Sequence, residues 1–386
     1  MRRVKIAALS TSALLVLSLV SFSATTANAA KSVDRSGKTC GIEGQVFSSS
    51  GVTVTCVKQE NGKLKYGTSS KLSGSLNVVC GATEAWCGAM TEAFTKKTGV
   101  STKFVRLSSG ETVARLDAGK SNPEFDVWHG GPADGFGVAR INGLIDKYVS
   151  PTRALIPTKY QDIDGYWTGV YVGALGFCSN TKELARLGIK APTSWADLLD
   201  PRLKKNVSTA HPSTSGTAFT TLWTQVTRLG SESAGLAYMA KFHNNVLQYT
   251  KSGVGPVAIV GRGEAAVGLV FSHDCVAGKL QGLPLKVTFP SEGTGYEIGG
   301  VALVKGSKNP AAAKAYIDFA LSKEAQNLGP TVAAFQVLTN PNTKLDKRMV
   351  KLSKVNIVDY NFTAAAAAKK ALTATFDATI AAAPKV

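Results

Sequence analysis

The chain has 386 residues, of which 44% are hydrophobic and 18% are charged, a globular composition that excludes a disordered or fibrous protein. Its net charge is +18, but only +6 of this charge lies in residues 76–339, where no dense run of Lys or Arg occurs. Because a nucleic-acid footprint needs clustered positive charge, we expect no nucleic-acid partner.

Residues 1–30 are typical of a signal peptide. Arg2, Arg3 and Lys5 form a positive start, residues 6–20 are mostly apolar, and residues 27–29 (Ala-Asn-Ala) are small enough for signal peptidase. The apolar stretch is shorter than the roughly 20 residues that a membrane span needs. We therefore expect an exported protein that resides in the periplasm, at the cell surface or outside the cell.

Six cysteines in an exported chain favour disulfide bonds. Spacing alone leaves many connectivities open, although proximity along the chain favours two bridges and leaves two cysteines for a third: Cys40–Cys56, Cys80–Cys87 and Cys178–Cys275. A zinc site is the alternative. The chain has no CxxC pair, and its four histidines show no HxH or HExxH spacing, so we expect no metal and no cofactor.

Residues 31–75 are predicted to form a small β-rich module with two cysteines, followed by a short linker. The alternation in residues 52–57 favours a short strand, and Asn61-Gly62 is a hairpin signal before the next one. The role of this module is open. Its positive charge suggests a wall-binding or adhesive protein as one alternative function.

From Leu76 onward the chain alternates between strands, loops and helices. In the first half, strands are predicted at 76–80, 100–107 and 125–128, helices at 84–98, 108–118 and 133–142, and a turn at 129–132. The second half has predicted strands at 168–177, 207–209, 265–271, 287–289 and 298–304, and helices at 194–198, 217–229, 235–242, 310–320 and 363–383. Repeated strand-loop-helix units predict an open α/β sheet with ligand sites at the carboxyl ends of its strands.

Hydroxyls and glycines recur where predicted helices begin, in residues 108–110, 213–217 and 250–253. Helix N-termini present unpaired N–H groups and a positive dipole end, which suit a phosphate or carboxylate. For any one segment an ordinary helix cap is the simpler explanation, whereas three segments at one sheet edge leave helix caps and an anion site as equal alternatives. The residues assigned to this site and its surroundings are Thr83, Ser108, Ser109, Gly130, Ser215, Gly216, Thr217, Lys251 and Ser252.

A second group of polar residues combines His273 and Asp274, at the end of a predicted strand, with Glu297 further along. Carboxylates accept hydrogen bonds from hydroxyl or ammonium groups, and histidine can donate or accept. A helix cap at Asp274 and a buried, satisfied His273 are the structural alternatives. The pattern by itself favours neither explanation.

Residues 76–330 resemble the extracellular solute-binding proteins of ABC importers, in the branch described for ferric iron, phosphonate or hexose phosphate. The resemblance rests on several long segments in matching order. They are FDVWHGGPAD (125–134), DGYWTGVYVGALGF (164–177), TSWADLLDPRLK (193–204), QYTKSG (248–253), RGEAAVGLVFSHD (262–274) and the run from 293 to 322.

The resemblance implies a type II periplasmic-binding-protein-like fold, an α/β fold of two lobes that close over a ligand. A domain of residues 76–386 would follow the signal peptide and the module. Its first lobe would comprise about 76–170 with the return strands and C-terminal helices, and its second about 171–292. The implied partners are a small solute and the membrane subunits of an ABC permease, and we expect a monomer.

The resemblance also separates the ligands. Iron-binding members hold the metal with adjacent tyrosines, and this chain has no Tyr-Tyr pair. In hexose-phosphate binders a His-Asp pair and a Glu hold sugar hydroxyls, and His273, Asp274 and Glu297 match those positions. A sugar phosphate is therefore the favoured ligand. The alternatives are a phosphonate, thiamine or ferric ion, whereas a secreted enzyme such as a phosphatase is disfavoured because no GxSxG motif occurs.

Overall fold

The computed structural model describes residues 35–385, except residues 42, 44, 50, 51, 60, 68 and 69. The predicted signal peptide, residues 1–30, lies outside the described residues. Within them, every helix is either too short or too polar to cross a lipid bilayer. The three predicted disulfides are confirmed, since sulfur–sulfur bonds join Cys40 to Cys56, Cys80 to Cys87 and Cys178 to Cys275.

The two-cysteine module is a small antiparallel sheet. Alternation along its long central strand places Val54 and Cys56 on one face, where they pack with Tyr66 in a separate small core. The central strand β2 pairs with the other three strands. The four strands are β1 (Val46–Ser49), β2 (Val52–Lys58), β3 (Leu64–Tyr66) and β4 (Ser70–Lys71).

The remaining strands form one sheet in the order β11-β10-β12-β9-β14-β7-β5-β6, in which β13 and β15 also pair with β9, and β8 pairs with β14. Its strands are β5 (Ser75–Cys80), β6 (Ser101–Arg106), β7 (Val127–Pro132), β8 (Ile145–Asp146), β9 (Thr168–Asn180), β10 (Val207–Ala210), β11 (Val246–Thr250), β12 (Val267–Phe271), β13 (Leu285–Thr288), β14 (Tyr296–Val304) and β15 (Val337–Leu338).

Helices follow most of these strands, as the alternating pattern predicts. They are α1 (Glu84–Thr98), α2 (Ser109–Ala118), α3 (Ala133–Ile141), α4 (Thr181–Arg186), α5 (Gly216–Leu229), α6 (Glu232–His243), α7 (Gly255–Gly261), α8 (Ser272–Leu280), α9 (Pro310–Ala320), α10 (Lys323–Gln326) and α11 (Phe362–Phe376). The predicted helix at 194–198 is a 3-10 turn, Ala196–Leu199.

Strand β9 connects the two lobes. All 13 of its residues are buried, and it pairs with β14 on one side and with β12 farther along its length. We call the part built on β5, β6 and β7 the first lobe and the part built on β10, β11 and β12 the second lobe. Trp86 and Trp128 lie in hydrophobic cores of the first lobe, and Trp195 and Phe219 lie in that of the second.

The C-terminal helix α11 contacts both lobes. Its predicted apolar face is present, because Leu372 and Phe376 are buried in the core of the second lobe. On the other side, the Lys369 ammonium lies 2.6 Å from the carboxylate of Asp134, at the start of α3 in the first lobe. The helix therefore lies at the junction of the lobes.

The turn predicted at residues 129–132 is wrong, because β7 continues to Pro132. The two glycines do have positive φ, 81° at Gly130 and 94° at Gly131, as a turn would require. However, β14 pairs with this segment at His129 and at Pro132, with an irregular register between the two. Long-range strand pairing thus holds an otherwise turn-forming sequence in the sheet.

Candidate functional site

A cavity of about 250 Å³ lies between the two lobes. Its walls follow the carboxyl ends of six strands, β5, β6, β7, β10, β11 and β12. The helices after these strands begin at the cavity, so that several N-termini with unpaired N–H groups face the same space. This is the position at which an open α/β sheet binds its ligands.

Nine of the twelve residues that the sequence assigns to the site line this cavity. They are Thr83, Ser108, Ser109, Ser215, Gly216, Thr217, His273, Asp274 and Glu297. The lining does not include Gly130, Lys251 or Ser252. Gly131 lines the cavity where the sequence predicted its neighbour Gly130. The Gly130 carbonyl accepts a hydrogen bond from Trp128 Nε1 at 2.8 Å.

One end of the cavity, which we call the hydroxyl end, is formed by Ser109, Ser215 and Thr217. Glycines make room for these hydroxyls. A Cβ at Gly131 would lie 2.6 Å from Ser109 Oγ, and a Cβ at Gly253 would lie 2.0 Å from Thr217 Oγ1. Only glycine allows the backbone so close, which leaves small donors around a space that an anion can enter.

The hydroxyl end also holds a cation that sequence analysis missed. Arg106, the last residue of β6, is the only Lys or Arg among the described residues that line the cavity. Its Nη1 donates a hydrogen bond to Ser252 Oγ at 2.9 Å, and its Nε donates to the Ala82 carbonyl at 3.4 Å. Its place at a strand end, two residues before the Ser108 loop, is the signal that could have identified it.

Contacts between the lobes flank the hydroxyl end. The Gly110 N–H donates to the Thr214 carbonyl at 3.0 Å, and Ser108 Oγ donates to the Lys251 carbonyl at 3.4 Å. The Lys251 ammonium lies 2.5 Å from Glu111 Oε1 and is largely exposed. Lys251 and Ser252 thus connect the second lobe to the first beside the cavity.

The other end of the cavity, which we call the acid end, is formed by His273, Asp274 and Glu297. His273 Nε2 lies 3.6 Å from Asp274 Oδ1 and 3.7 Å from Glu297 Oε1, and all three side chains are at least nine-tenths buried. His273 and Asp274 belong to the first turn of α8, which sequence analysis did not predict. A Cβ at Gly173 on β9 would lie 2.8 Å from His273 Nδ1, so a glycine also makes room here.

Burial controls the ionisation of the acid end. Desolvation raises the pKa of the Glu297 carboxyl well above its usual value of 4.5, and the nearby Asp274 and Asp134 carboxylates raise it further. Burial also raises the pKa of Asp274, whereas it lowers the pKa of His273, which therefore favours the neutral form. Charge interactions with His273 and Arg106 partly lower the pKa of Asp274, whereas the charges that act on Glu297 only raise its pKa, so the acid end suits a ligand that supplies hydrogen-bond donors.

Three polar atoms in the cavity wall are buried without a hydrogen-bond partner within the described part of the chain. They are Thr83 Oγ1, His273 Nδ1 and Gln336 Oε1. Buried polar groups in proteins are almost always paired, so three unpaired atoms around one cavity indicate positions for a ligand or for ordered water. Gln336 is a second residue that sequence analysis missed.

The described residues contain no group of three or more His, Cys, Asp or Glu side chains arranged to hold a metal ion. The chemistry that the cavity offers is recognition by complementary polar groups. Helix N-termini, hydroxyls and one guanidinium are at one end, and two carboxyls and an imidazole are at the other.

Several known proteins are similar to this chain in sequence and in fold. Residues 137–365 match the family model of the bacterial extracellular solute-binding proteins. The periplasmic binding protein AfuA from Actinobacillus pleuropneumoniae, solved with exogenous fructose-6-phosphate bound, is similar with a TM-score of 0.78. It is 40% identical, and the match covers 80% of this chain and 99% of AfuA.

Two further proteins are similar to this chain in sequence. A Haemophilus influenzae protein of uncharacterised function is 41% identical over 300 residues, which are 76% of this chain and 86% of that protein. A Salmonella typhimurium periplasmic protein, provisionally named for binding 2-aminoethylphosphonate, is 28% identical over 63% of this chain and 71% of its own length. The matched family and AfuA are binding proteins and not enzymes, in agreement with the sequence analysis.

Proposed function

This chain belongs to the bacterial extracellular solute-binding proteins, and we propose that its ligand is a small phosphorylated sugar. It has the type II fold and is the exported, substrate-binding component of an ABC importer for a phosphate-containing or iron-type solute. Such components deliver their solute to the permease subunits in the membrane. The identity of that solute is the proposal, together with the residues assigned to bind it.

The observation that carries the proposal is the opposite chemistry of the two ends of one cavity. At the hydroxyl end, helix N-termini, hydroxyls and Arg106 all offer hydrogen-bond donors to an anion. At the acid end, Asp274 and Glu297 offer acceptors. A sugar phosphate has a dianion at one end and several hydroxyl donors at the other, so both ends are satisfied by one molecule.

Arg106, and not the predicted Lys251, is the cation that lines the anion site. One guanidinium does not neutralise a dianion, so the hydroxyls and helix N-termini must stabilise the rest of the charge. Arg106 also reaches across to Ser252, which couples the occupied end to contact between the lobes. We therefore assign Arg106 to the phosphate together with Ser109, Ser215 and Thr217.

A second candidate is 2-aminoethylphosphonate, because two buried carboxyls could accept its ammonium group. The provisional name of the Salmonella relative favours it, and the 40% identity to AfuA, solved with fructose-6-phosphate, favours the sugar.

Isothermal titration calorimetry on the mature protein tests the proposal. The ligands are fructose 6-phosphate, glucose 6-phosphate, 2-aminoethylphosphonate, inorganic phosphate, thiamine and ferric citrate. We expect a hexose phosphate to bind at least tenfold more tightly than inorganic phosphate, because both ends of the cavity then have partners. Tight binding of ferric ion alone would overturn the proposal, and preference for the aminoethylphosphonate would favour the second candidate.

Native mass spectrometry of the freshly purified protein gives an independent measurement. An added mass equal to that of a hexose phosphate, lost on gentle activation, is the expected result. The same experiment counts subunits, for which we expect a monomer.

A further inference from the structure

We infer that Gln336 is a specificity-determining residue that makes the acid end select a polyhydroxylated ligand over an amine. The inference rests on the proposed function and names the group that decides between its two candidates. Gln336 lies in the C-terminal part of the chain, more than sixty residues from His273, and no sequence motif marks it.

Strand register places Gln336 beside the acid end. Strand β15 pairs with β9 through Val337 and Val172, so Gln336 lies across from Gly173. On its other side Gly173 pairs with Glu297 of β14. Residues in one row across neighbouring strands share a face of the sheet. Gln336 and Glu297 therefore flank Gly173, whose missing side chain leaves the space that His273 approaches.

The state of the Gln336 side chain indicates an absent partner. The residue is 1% exposed and lines the cavity, yet its amide oxygen has no hydrogen-bond partner within the described residues. An unpaired buried amide oxygen is costly, so this oxygen needs a donor, which a ligand or an ordered water can supply. A ligand hydroxyl can donate to this oxygen.

A neutral amide changes what the acid end prefers. Two buried carboxyls alone would accept one ammonium. An additional amide adds a recognition point with no charge. An ammonium carries its three N–H donors on one atom, so it can pair with the amide only from a position that both carboxyls and the amide reach together. A sugar carries its hydroxyl donors on separate atoms, and Glu297 and Gln336 lie on either side of β9, in β14 and directly before β15. Gln336 thus favours the polyol, whose separate hydroxyls can pair with the amide and with the carboxyls at the same time.

A second buried glutamine offers a matched control. Gln326 is fully buried, and its amide is already satisfied, because its Nε2 donates to Thr339 Oγ1 at 3.1 Å and its Oε1 accepts from the Asn340 N–H at 2.9 Å. It does not line the cavity. Replacing Gln326 should lower stability without changing ligand preference, whereas replacing Gln336 should change ligand preference without lowering stability.

The test measures hexose phosphate, 2-aminoethylphosphonate and inorganic phosphate binding by calorimetry for wild type, Gln336→Leu and Gln326→Leu, with thermal melting of each protein. For Gln336→Leu we expect roughly tenfold weaker hexose phosphate binding, unchanged inorganic phosphate binding and equal or tighter aminoethylphosphonate binding. Gln326→Leu should melt earlier and keep the wild-type order of ligands.

Three results overturn the inference: unchanged hexose phosphate affinity in Gln336→Leu, equal weakening of all three ligands, or the same change of preference in Gln326→Leu. These results differ from failure of the proposed function. In that case the wild-type protein itself would not bind any hexose phosphate.

Discussion

At the hydroxyl end of the cavity, helix N-termini supply donors that stay neutral, and their loops come from both lobes. At the acid end, strands β9 and β14 and the first turn of α8 bring two carboxyls and an imidazole together away from water. The first end therefore attracts an anion at little cost to the empty protein. The second carries a desolvation cost that only a donor-rich ligand or a bound proton relieves. Affinity for the anion and selectivity for the remainder of the ligand are thus separate properties.

The largest expected effect is on the free energy of unfolding, and it differs between the two disulfides that lie beside the ends of the cavity. Cys178–Cys275 closes a loop of 97 residues next to Asp274, and Cys80–Cys87 closes one of 7 residues next to Thr83. In the chain-entropy model, loss of the first lowers the free energy of unfolding by about 4–5 kcal/mol and loss of the second by about 2 kcal/mol. Urea unfolding of the two double alanine variants measures both, and equal losses would contradict the loop-length argument.

The next effect is steric and differs between the ends. Gly253→Val forces a side chain against Thr217, so we expect at least a hundredfold loss of affinity, about 2.7 kcal/mol, for every phosphorylated ligand. Gly173→Ala presses on His273 and Glu297, so we expect hexose phosphate binding to fall and inorganic phosphate binding to persist. Gly88→Ala on α1, where a Cβ has ordinary contact distances, is the control. If both cavity variants lost all ligands alike, the two ends would not be separable.

Removing polar side-chain groups should distinguish the two ends in the same way, with smaller losses of ligand affinity. Asp274→Ala leaves ligand hydroxyls unpaired, so affinity for hexose phosphate should fall by ~1–3 kcal/mol, while inorganic phosphate binding changes little. Ser215→Ala combined with Thr217→Ala should weaken every phosphorylated ligand together.

Calorimetry measures both variants. Ser215 also caps α5, because its Oγ accepts from the Ala218 N–H at 3.4 Å. Ser231→Ala, which removes the equivalent cap of α6, is therefore the control for a loss of stability alone. Selective loss of hexose phosphate in the double variant would contradict the assignment of the hydroxyl end.

The desolvation cost of the acid end predicts a pH-dependent gain of stability in Glu297→Gln. Because the pKa of Glu297 is raised, the folded state binds more protons than the unfolded state above pH 4.5, and the free energy of unfolding falls as the pH rises through that window. Without ligand, the variant should be more stable than wild type at neutral pH, and this difference in the free energy of unfolding should vanish at pH values below 4.5.

Thermal and urea unfolding across the pH range measure this difference. Because the pKa of His273 is lowered, this residue makes the free energy of unfolding rise with pH. His273 is present in both proteins, so its contribution largely cancels in their difference. Glu324→Gln, at an exposed carboxyl on α10, is the control. A destabilised Glu297→Gln at neutral pH would show that Glu297 has an ionic partner that the fold does not reveal.

The smallest effect concerns the exposed ion pair between the lobes. Glu111→Gln removes the partner of Lys251 beside the hydroxyl end and should weaken all phosphorylated ligands by less than about 1 kcal/mol, because solvent and salt screen the pair. The loss should shrink as salt is added. Glu124→Gln, which breaks the Arg115–Glu124 pair farther along α2, should leave binding unchanged.

Most of the fold could be predicted because its signals are local. Apolar spacing and glycine stops predicted helices such as α1 and α9 almost residue for residue. Where pairing between distant strands decided the outcome, local signals were wrong, as at residues 129–132. Helix α8 was missed because it begins directly after β12, so that its polar first turn, residues 272–274, has the composition of a loop that follows a strand.

The sequence by itself determined the order of strands and helices, the hydroxyl-rich helix starts and the presence of His273, Asp274 and Glu297. The tertiary structure alone decided which of these residues face the cavity and which others join them. Arg106 lies there in place of Lys251 because β6 ends at the cavity, and Gln336 lies there because β15 pairs with β9 opposite Gly173. Side-chain direction follows from strand register, and a shift of one residue turns every side chain to the other face. That register is set by contacts between residues far apart in the chain, which no local pattern encodes.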